Sequence, residues 1–198
     1  MKESPKINSK EYWDFRFSSS DWENNHGKEQ TSYFSEILLN NLPKNILEET
    51  NSMLDWGCAL GQLSHLWKQK NKNCDVFGYD LSEEGVKKAI SFYPDICFDS
   101  TKPSGKFDTV VCSNVLEHLS NWQEVITELK SYANKYVIIL VPYNSGIGGE
   151  HIVNFTENMF DPEGIIEKRI IDCYDPVFWP GQQLLIIYEI FILSRKGI

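Results

Sequence analysis

Three carboxylates close short apolar runs in the first half of the chain: Asp55 in "SMLDWG", Asp80 in "DVFGYDLS" and Asp99 in "DICFDS". A carboxylate at the mouth of a core strand is costly unless donors or a cation meet it. Asp55 is followed by Gly57, Ala59 and Gly61. These residues weaken regular structure and leave backbone bare enough for close approach by a ligand. An apolar strand, a small-residue turn and a helix together form the usual seat of a nucleotide-like ligand. The dinucleotide fingerprint wants glycine at its first, third and sixth positions. Counted from Gly57 those are Gly57, Ala59 and Gln62, so two of three fail. Asp55 would also repel a pyrophosphate; it favours a ligand whose near end is cationic.

Proton-transfer chemistry has few other candidates. His151 lies in "GGEHIVNFT" and His118 in "VLEHL", each just after an apolar run, and either can titrate near neutral pH. Packing or substrate-binding roles compete with catalysis for both. Glu117 and Glu150 adjoin them and are candidates to orient them or touch substrate. His65 reads as inert on a helix, and His26 sits in a polar stretch that gives no reading. The spacing of histidines and acids offers no dedicated metal site, so no metal is expected and metal-dependent catechol-type chemistry is disfavoured.

The elements that must position these residues alternate. "KEYWDFRF" reads as a short helix, "SSSDWENNHGKEQ" as a mobile polar loop, and "TSYFSEILLNNLP" as an amphipathic helix ended by Pro43. Strands follow at "SMLDW", "CDVFGYD", "DICFD", "FDTVVCSN", "YVIILVPY", "EKRIIDCY" and "LLIIYEIFILSRK". Helices are expected at "GQLSHLWKQ", at "SEEGVKKAISF" with Ser82 as its cap, and at "WQEVITELKSYA". Strand–helix alternation predicts an α/β fold, a doubly wound, mainly parallel sheet with helices on both faces and ligands beyond the strands' carboxyl ends.

Composition narrows the class. The 198 residues favour a single domain; 41% are hydrophobic and 13% aromatic, enough for a packed core. Net charge of −9 argues against a broad nucleic-acid footprint and against anionic membranes. Five scattered cysteines, Cys58, Cys74, Cys97, Cys112 and Cys173, form no Cys-x-x-Cys pair and fit free thiols in a reducing cytosol. No signal-peptide core is seen at the start, and the apolar runs are too short to span a bilayer. The expectation is a cytoplasmic monomer or homodimer.

"LDWGCALG" resembles the first motif of the class I S-adenosylmethionine-dependent methyltransferases, Asp-x-Gly-x-Gly-x-Gly, with Ala59 at the middle glycine. "FGYDLS" and "CFDSTKPSGKFDTVVCSNVLEHL" resemble later motifs, in the family's order, from about residue 50 to 143. The likeness is strongest to small-molecule enzymes of the ubiquinone-biosynthesis and sugar-modifying type. It implies a Rossmann-like seven-stranded sheet with the last strand antiparallel, and S-adenosyl-L-methionine as cofactor. Asp55, Gly57, Ala59 and Gly61 would form its turn. Asp80 would take the ribose hydroxyls, Leu81 would lie on the adenine, and Asp99 with Ser100 would sit near the adenine amino group. Ser113 and Asn114 would face the methionine end; Asp108 reads as structural. The resemblance also divides the chain: an N-terminal lid and helix (1–45), a cofactor core (50–143), and substrate-side loops with the last strands (144–198). In the lid, Arg16 could pair with the methionine carboxylate, while Tyr12, Trp13 and Trp22 pin the segment. "DPVFWPGQQ" could border the pocket.

The implied reaction moves a methyl group to a hydroxyl or amine of a small metabolite or surface-polysaccharide sugar, with His151 or His118 as base. The Asn/Asp-Pro-Pro-Tyr/Phe signature of amide methylation is absent. A protein or RNA methyltransferase, a catalytically silent scaffold subunit and an NAD-dependent oxidoreductase stand as alternatives.

Overall fold

Alternation of apolar residues along each strand places side chains on both faces of a sheet, and helices must cover both. The structure, a computed structural model describing residues 5–175 and 179–190, has this arrangement. Four helices come first: α1 (Lys10–Ser18), α2 (Asp21–Asn24), α3 (Gly27–Asn41) and α4 (Lys44–Glu49). Then β1 (Ser52–Trp56), α5 (Gln62–Lys70), β2 (Asp75–Tyr79), α6 (Glu83–Phe92) and β3 (Cys97–Asp99) build the first half of the sheet. The second half is β4 (Phe107–Ser113), α7 (Trp122–Tyr132), β5 (Ala133–Tyr143), β6 (Ile165–Asp175) and β7 (Trp179–Glu189).

The strand order is β3-β2-β1-β4-β5-β7-β6. The pairs from β3 through β5 are parallel, and β7 runs antiparallel between β5 and β6. The sequence is thus an α/β chain with a Rossmann-like, seven-stranded, mainly parallel sheet, as its motifs imply. Residues 191–196 of the expected last strand lie outside the described residues.

Strand β5 shows why the sheet needs two coats: Val137 through Val141 are all fully buried. Ile138 and Leu140 join a core with α3, α4, α5 and α6, while Val137, Ile139 and Val141 join one with α7. At about 25 cal/mol per Å² of apolar surface, these two layers dominate the folding free energy.

The expected mobile loop at 18–30 is instead largely helical, holding α2 and the start of α3. Its polar residues misled because they face outward, while Trp22 packs inward against Trp13 and Phe17. A side chain at Gly27 would collide with the Trp22 ring, at 2.2 Å from a Cβ, so glycine is what lets α3 begin there. Ser82 caps α6 as expected, accepting from Gly85 N. Asp108 is at the amino edge of the sheet, bonded to Asn51 N and Lys135, far from the turn after β1.

Candidate functional site

At the carboxyl edge of the sheet, the turn after β1 is tied to the end of β2. Gly57 N and Cys58 N both donate to Tyr79 O. Gly57 has φ of +84°, and a Cβ there would lie 2.5 Å from Val115 Cγ2, so both conformation and space demand glycine. Ala59 also has positive φ, +47°, a conformation unfavourable to L-residues. Its amide donates to Asp80 Oδ2 at 2.9 Å, which offsets that cost.

Asp55 and Asp80 are both buried. Asp55 Oδ2 accepts from Ser64 N and Ser64 Oγ, and Asp80 Oδ1 accepts from Ser82 N. Burial still dominates their chemistry: it pushes the Asp55 carboxyl up to about 7 and that of Asp80 up to about 6. These are carboxylates waiting for positive charge or for donors.

Both line a cavity of about 360 Å³. Gly57, Ala59, Leu81, Ser113 and Asn114 also line it, so most of the expected cofactor-facing residues converge on one space. Four do not reach its wall. Gly61 starts α5 beneath Phe98 and Tyr93. Asp99 is exposed and accepts from Thr101 N, beside Ser100, at the next strand end. Arg16 is paired with Glu150 and Asp21, which engages the charge expected to meet the methionine carboxylate.

The far end of the cavity holds Glu117, His118, Glu150 and His151. Here the backbone makes the geometry. Ile152 N and Val153 N both donate to Glu117 O, stapling the loop after β5 onto the segment after β4. Gly148 and His151 exchange backbone hydrogen bonds across a tight turn. His118 Nδ1 lies 3.0 Å from Glu150 O. A carbonyl only accepts, so Nδ1 carries the proton and Nε2 keeps its lone pair. Nε2 lies 4.0 Å from Glu117 Oε1. The His118 ring sits edge-on to Trp13 and to His151, both at 5.3 Å between centroids.

Burial pushes the Glu117 carboxyl up to about 8 and, with His151 and Arg16 nearby, the His118 imidazole down to about 3; it lowers His151 as well. Glu117 is 1% exposed, and its Oε2 has no hydrogen-bond partner among the described residues. The one-dimensional spacing of these residues shows no cluster; folding brings a ligand atom from each of Glu117, His118 and His151 within 4.8 Å of the others. Glu150, a candidate to orient a histidine, meets His118 through its backbone carbonyl. Its carboxylate receives Tyr12 and Arg16 from α1.

The cavity wall on this side is aromatic, with Trp13, Phe17, Trp22 and Phe34 contributed by α1–α3. The sequence pointed to Trp13 and Trp22 as pinning the lid and to Phe34 as a helix-face residue, and to none of them as lining. His65 is outside the cavity, stacked on Tyr93 and bonded to Gln69. In "DPVFWPGQQ", residues 176–178 lie outside the described residues.

A methyltransferase domain family model matches residues 26–163. The chain belongs to this methyltransferase family. No curated protein matches the sequence. Solved structures similar to this methyltransferase share its fold at low identity. The plantazolicin methyltransferase BpumL, solved with SAH, is 13% identical with a TM-score of 0.65, over 92% of this chain and 96% of that one. The Synechocystis PCC 6803 magnesium protoporphyrin IX methyltransferase, solved with SAM, is 20% identical with a TM-score of 0.55, over 94% and 86%. A chain in a complex of the Haloferax volcanii Trm112 methyltransferase activator with a methyltransferase is 16% identical with a TM-score of 0.66, over 93% and 97%. Among the described residues of this methyltransferase, no helix is long and apolar enough to cross a membrane.

Proposed function

We propose that this methyltransferase uses S-adenosyl-L-methionine to methylate a hydroxyl, or an amine, of a small metabolite or a surface-polysaccharide sugar. The observation that carries the cofactor is the pair of buried carboxylates, Asp55 and Asp80, facing one cavity beside a positive-φ glycine turn. The residues fit the group: a cofactor with a cationic amino-acid end and vicinal ribose hydroxyls supplies the charge and donors these carboxylates lack. When bound, the cofactor supplies a methyl carbon on a sulfonium that an in-line nucleophile can displace.

The chain's own task is then orientation and removal of water. Asp55 holds the methionine end, Asp80 the ribose, and Leu81 flanks the adenine. Asp99 and Ser100, at the end of β3, are the residues assigned to the adenine amino group. The helices α1–α3 form the roof, bringing aromatic rings over the acceptor. A hydroxyl acceptor must lose its proton as it attacks, and His118 and His151 stand where that proton leaves. The structural relatives named above act on plantazolicin and on magnesium protoporphyrin IX. Such different acceptors on one fold mean that the cavity's own lining must select the substrate.

Calorimetric titration of S-adenosylmethionine, followed by methyl-donor turnover against nucleotide sugars, quinone precursors and amines, tests this reading. Saturable cofactor binding and turnover on one of these classes are expected. Binding of NADH with none of S-adenosylmethionine would reject it. So would turnover confined to protein or RNA acceptors.

A further inference from the structure

We propose that Glu117, His118 and His151 form a binding site for a first-row divalent metal cation, of the zinc, manganese or iron(II) class, at the acceptor end of the cavity. This deepens the proposed function and rests on it for the role of the ion, though not for its binding.

Four observations carry the site. One ligand atom from each residue lies within 4.8 Å of the others. Such ions hold nitrogen and oxygen ligands at about 2.0–2.2 Å, so neighbouring ligands in a tetrahedral shell are roughly 3.4 Å apart. Small side-chain rotations close that difference. Glu117 is 1% exposed, lines the cavity and leaves Oε2 without a partner among the described residues. A buried carboxyl oxygen without a partner is a cost that a cation removes. His118 donates Nδ1–H to Glu150 O and so presents the Nε2 lone pair, the tautomer a ligating histidine needs. Finally, Ile152 N and Val153 N bind Glu117 O, and the Gly148–His151 turn closes on itself, so the backbone brings His151 to the other two.

Arg16 lowers the His118 pKa and so counts against the site, but Glu150 and Asp21 both pair with it and balance its charge. Two histidines and one carboxylate suit zinc, manganese or iron(II) better than magnesium, which prefers oxygen ligands and keeps its waters. Three protein ligands leave open positions, the mark of a catalytic rather than a structural site. All three residues line the cavity, from which an acceptor would reach those positions. An acceptor hydroxyl bound there is acidified by the cation. With the ion bound, His118 and His151 are its ligands and no longer bases, so the O–H bond breaks with the proton passing to solvent; the O–CH3 bond forms as the sulfonium C–S bond breaks. Nothing is oxidised or reduced.

The test is titration of Zn2+ and of Co2+ into the chelator-treated full chain, by calorimetry and by visible absorption of the cobalt form. One saturable equivalent and a d–d absorption band are expected. Glu117→Gln, which keeps side-chain volume, and His151→Ala should each weaken binding by about 100-fold or more, since each removes a direct ligand. Cys97→Ser, at an exposed thiol, should leave it unchanged. Absence of saturable binding, equal affinity in the Glu117 and His151 variants, loss in the Cys97 variant, or tighter binding of Mg2+ than Zn2+ would overturn the site. S-adenosylmethionine titration of the same samples separates the two proposals. Cofactor binding without metal binding rejects the site and leaves the methyltransferase reading intact; metal binding without cofactor binding does the reverse.

Discussion

At one end of the cavity Asp55 is held by Ser64, nine residues away, and Asp80 by Ala59, 21 residues away. At the other end His118 is held by Glu150, 32 residues on, and Arg16 reaches Glu150 across 134. The cofactor end is built from a strand, its turn and the next strand. The acceptor end is built where the N-terminal helix, the segment after β4 and the loop after β5 meet. Short-range sites are set by local backbone chemistry and tolerate remote change. Long-range sites depend on every element that docks, and are free to vary with substrate.

The largest effect that would sharpen this contrast is at Asp80. Asp80→Ala removes a carboxylate proposed to take the ribose hydroxyls and frees the amides of Ala59 and Ser82. Hydrogen bonds to charged groups contribute about 1.5–3 kcal/mol each, so calorimetry should find S-adenosylmethionine affinity lower by roughly 100-fold or more. Unchanged affinity would reject the placement of the ribose.

His151→Ala tests the other end. Its loop is fixed by backbone, so cofactor affinity should hold while turnover falls by about two orders of magnitude. Single-turnover and binding assays on one preparation separate these. A variant that also loses the cofactor would merge the two ends and break the comparison.

A smaller effect follows from pH. Burial raises both Asp55, to about 7, and Asp80, to about 6, above the ordinary carboxylate value. A raised folded-state pKa means that the cofactor-free protein is most stable while these groups are protonated, at low pH. That stability is lost as pH rises through about 6 to 7. A cationic ligand needs the ionised forms, so its affinity runs the opposite way. It should tighten by about tenfold or more between pH 5 and pH 7.5, with proton release on binding. Calorimetry in buffers of different ionisation enthalpy measures both; affinity flat across this range would mean that neither carboxylate meets the cofactor's charge.

The smallest effect expected is at Arg16. Arg16→Ala unties α1 from Glu150 and Asp21, a partly exposed set of ion pairs contributing about 1 kcal/mol or less. The melting temperature should fall by no more than about 2–4 °C. The KM for the acceptor should rise several-fold with cofactor affinity unchanged. Weakened cofactor binding in steady titrations would place Arg16 with the cofactor after all.

The amino-acid sequence by itself determined the strand–turn–helix at Asp55, the acid ending β2, the cap at Ser82 and the two-sided burial of β5. Each of these depends on residues within a turn or a strand of one another, where backbone sterics and hydrophobic period act directly. Its polar stretch at 18–30 read as loop, because its many polar residues mask the inward packing of Trp22 and Gly27 that only the fold shows. Ala59 could be read as a substitute for glycine, but only the fold shows that its strained amide is secured by Asp80. The meeting of Glu117 with His151, the tautomer of His118 and the engagement of Arg16 by Glu150 were decided by tertiary structure alone. Two loops leaving adjacent parallel strands are neighbours in space whatever their distance in sequence, and the staple from Ile152 and Val153 to the Glu117 carbonyl is backbone, which no side-chain pattern records.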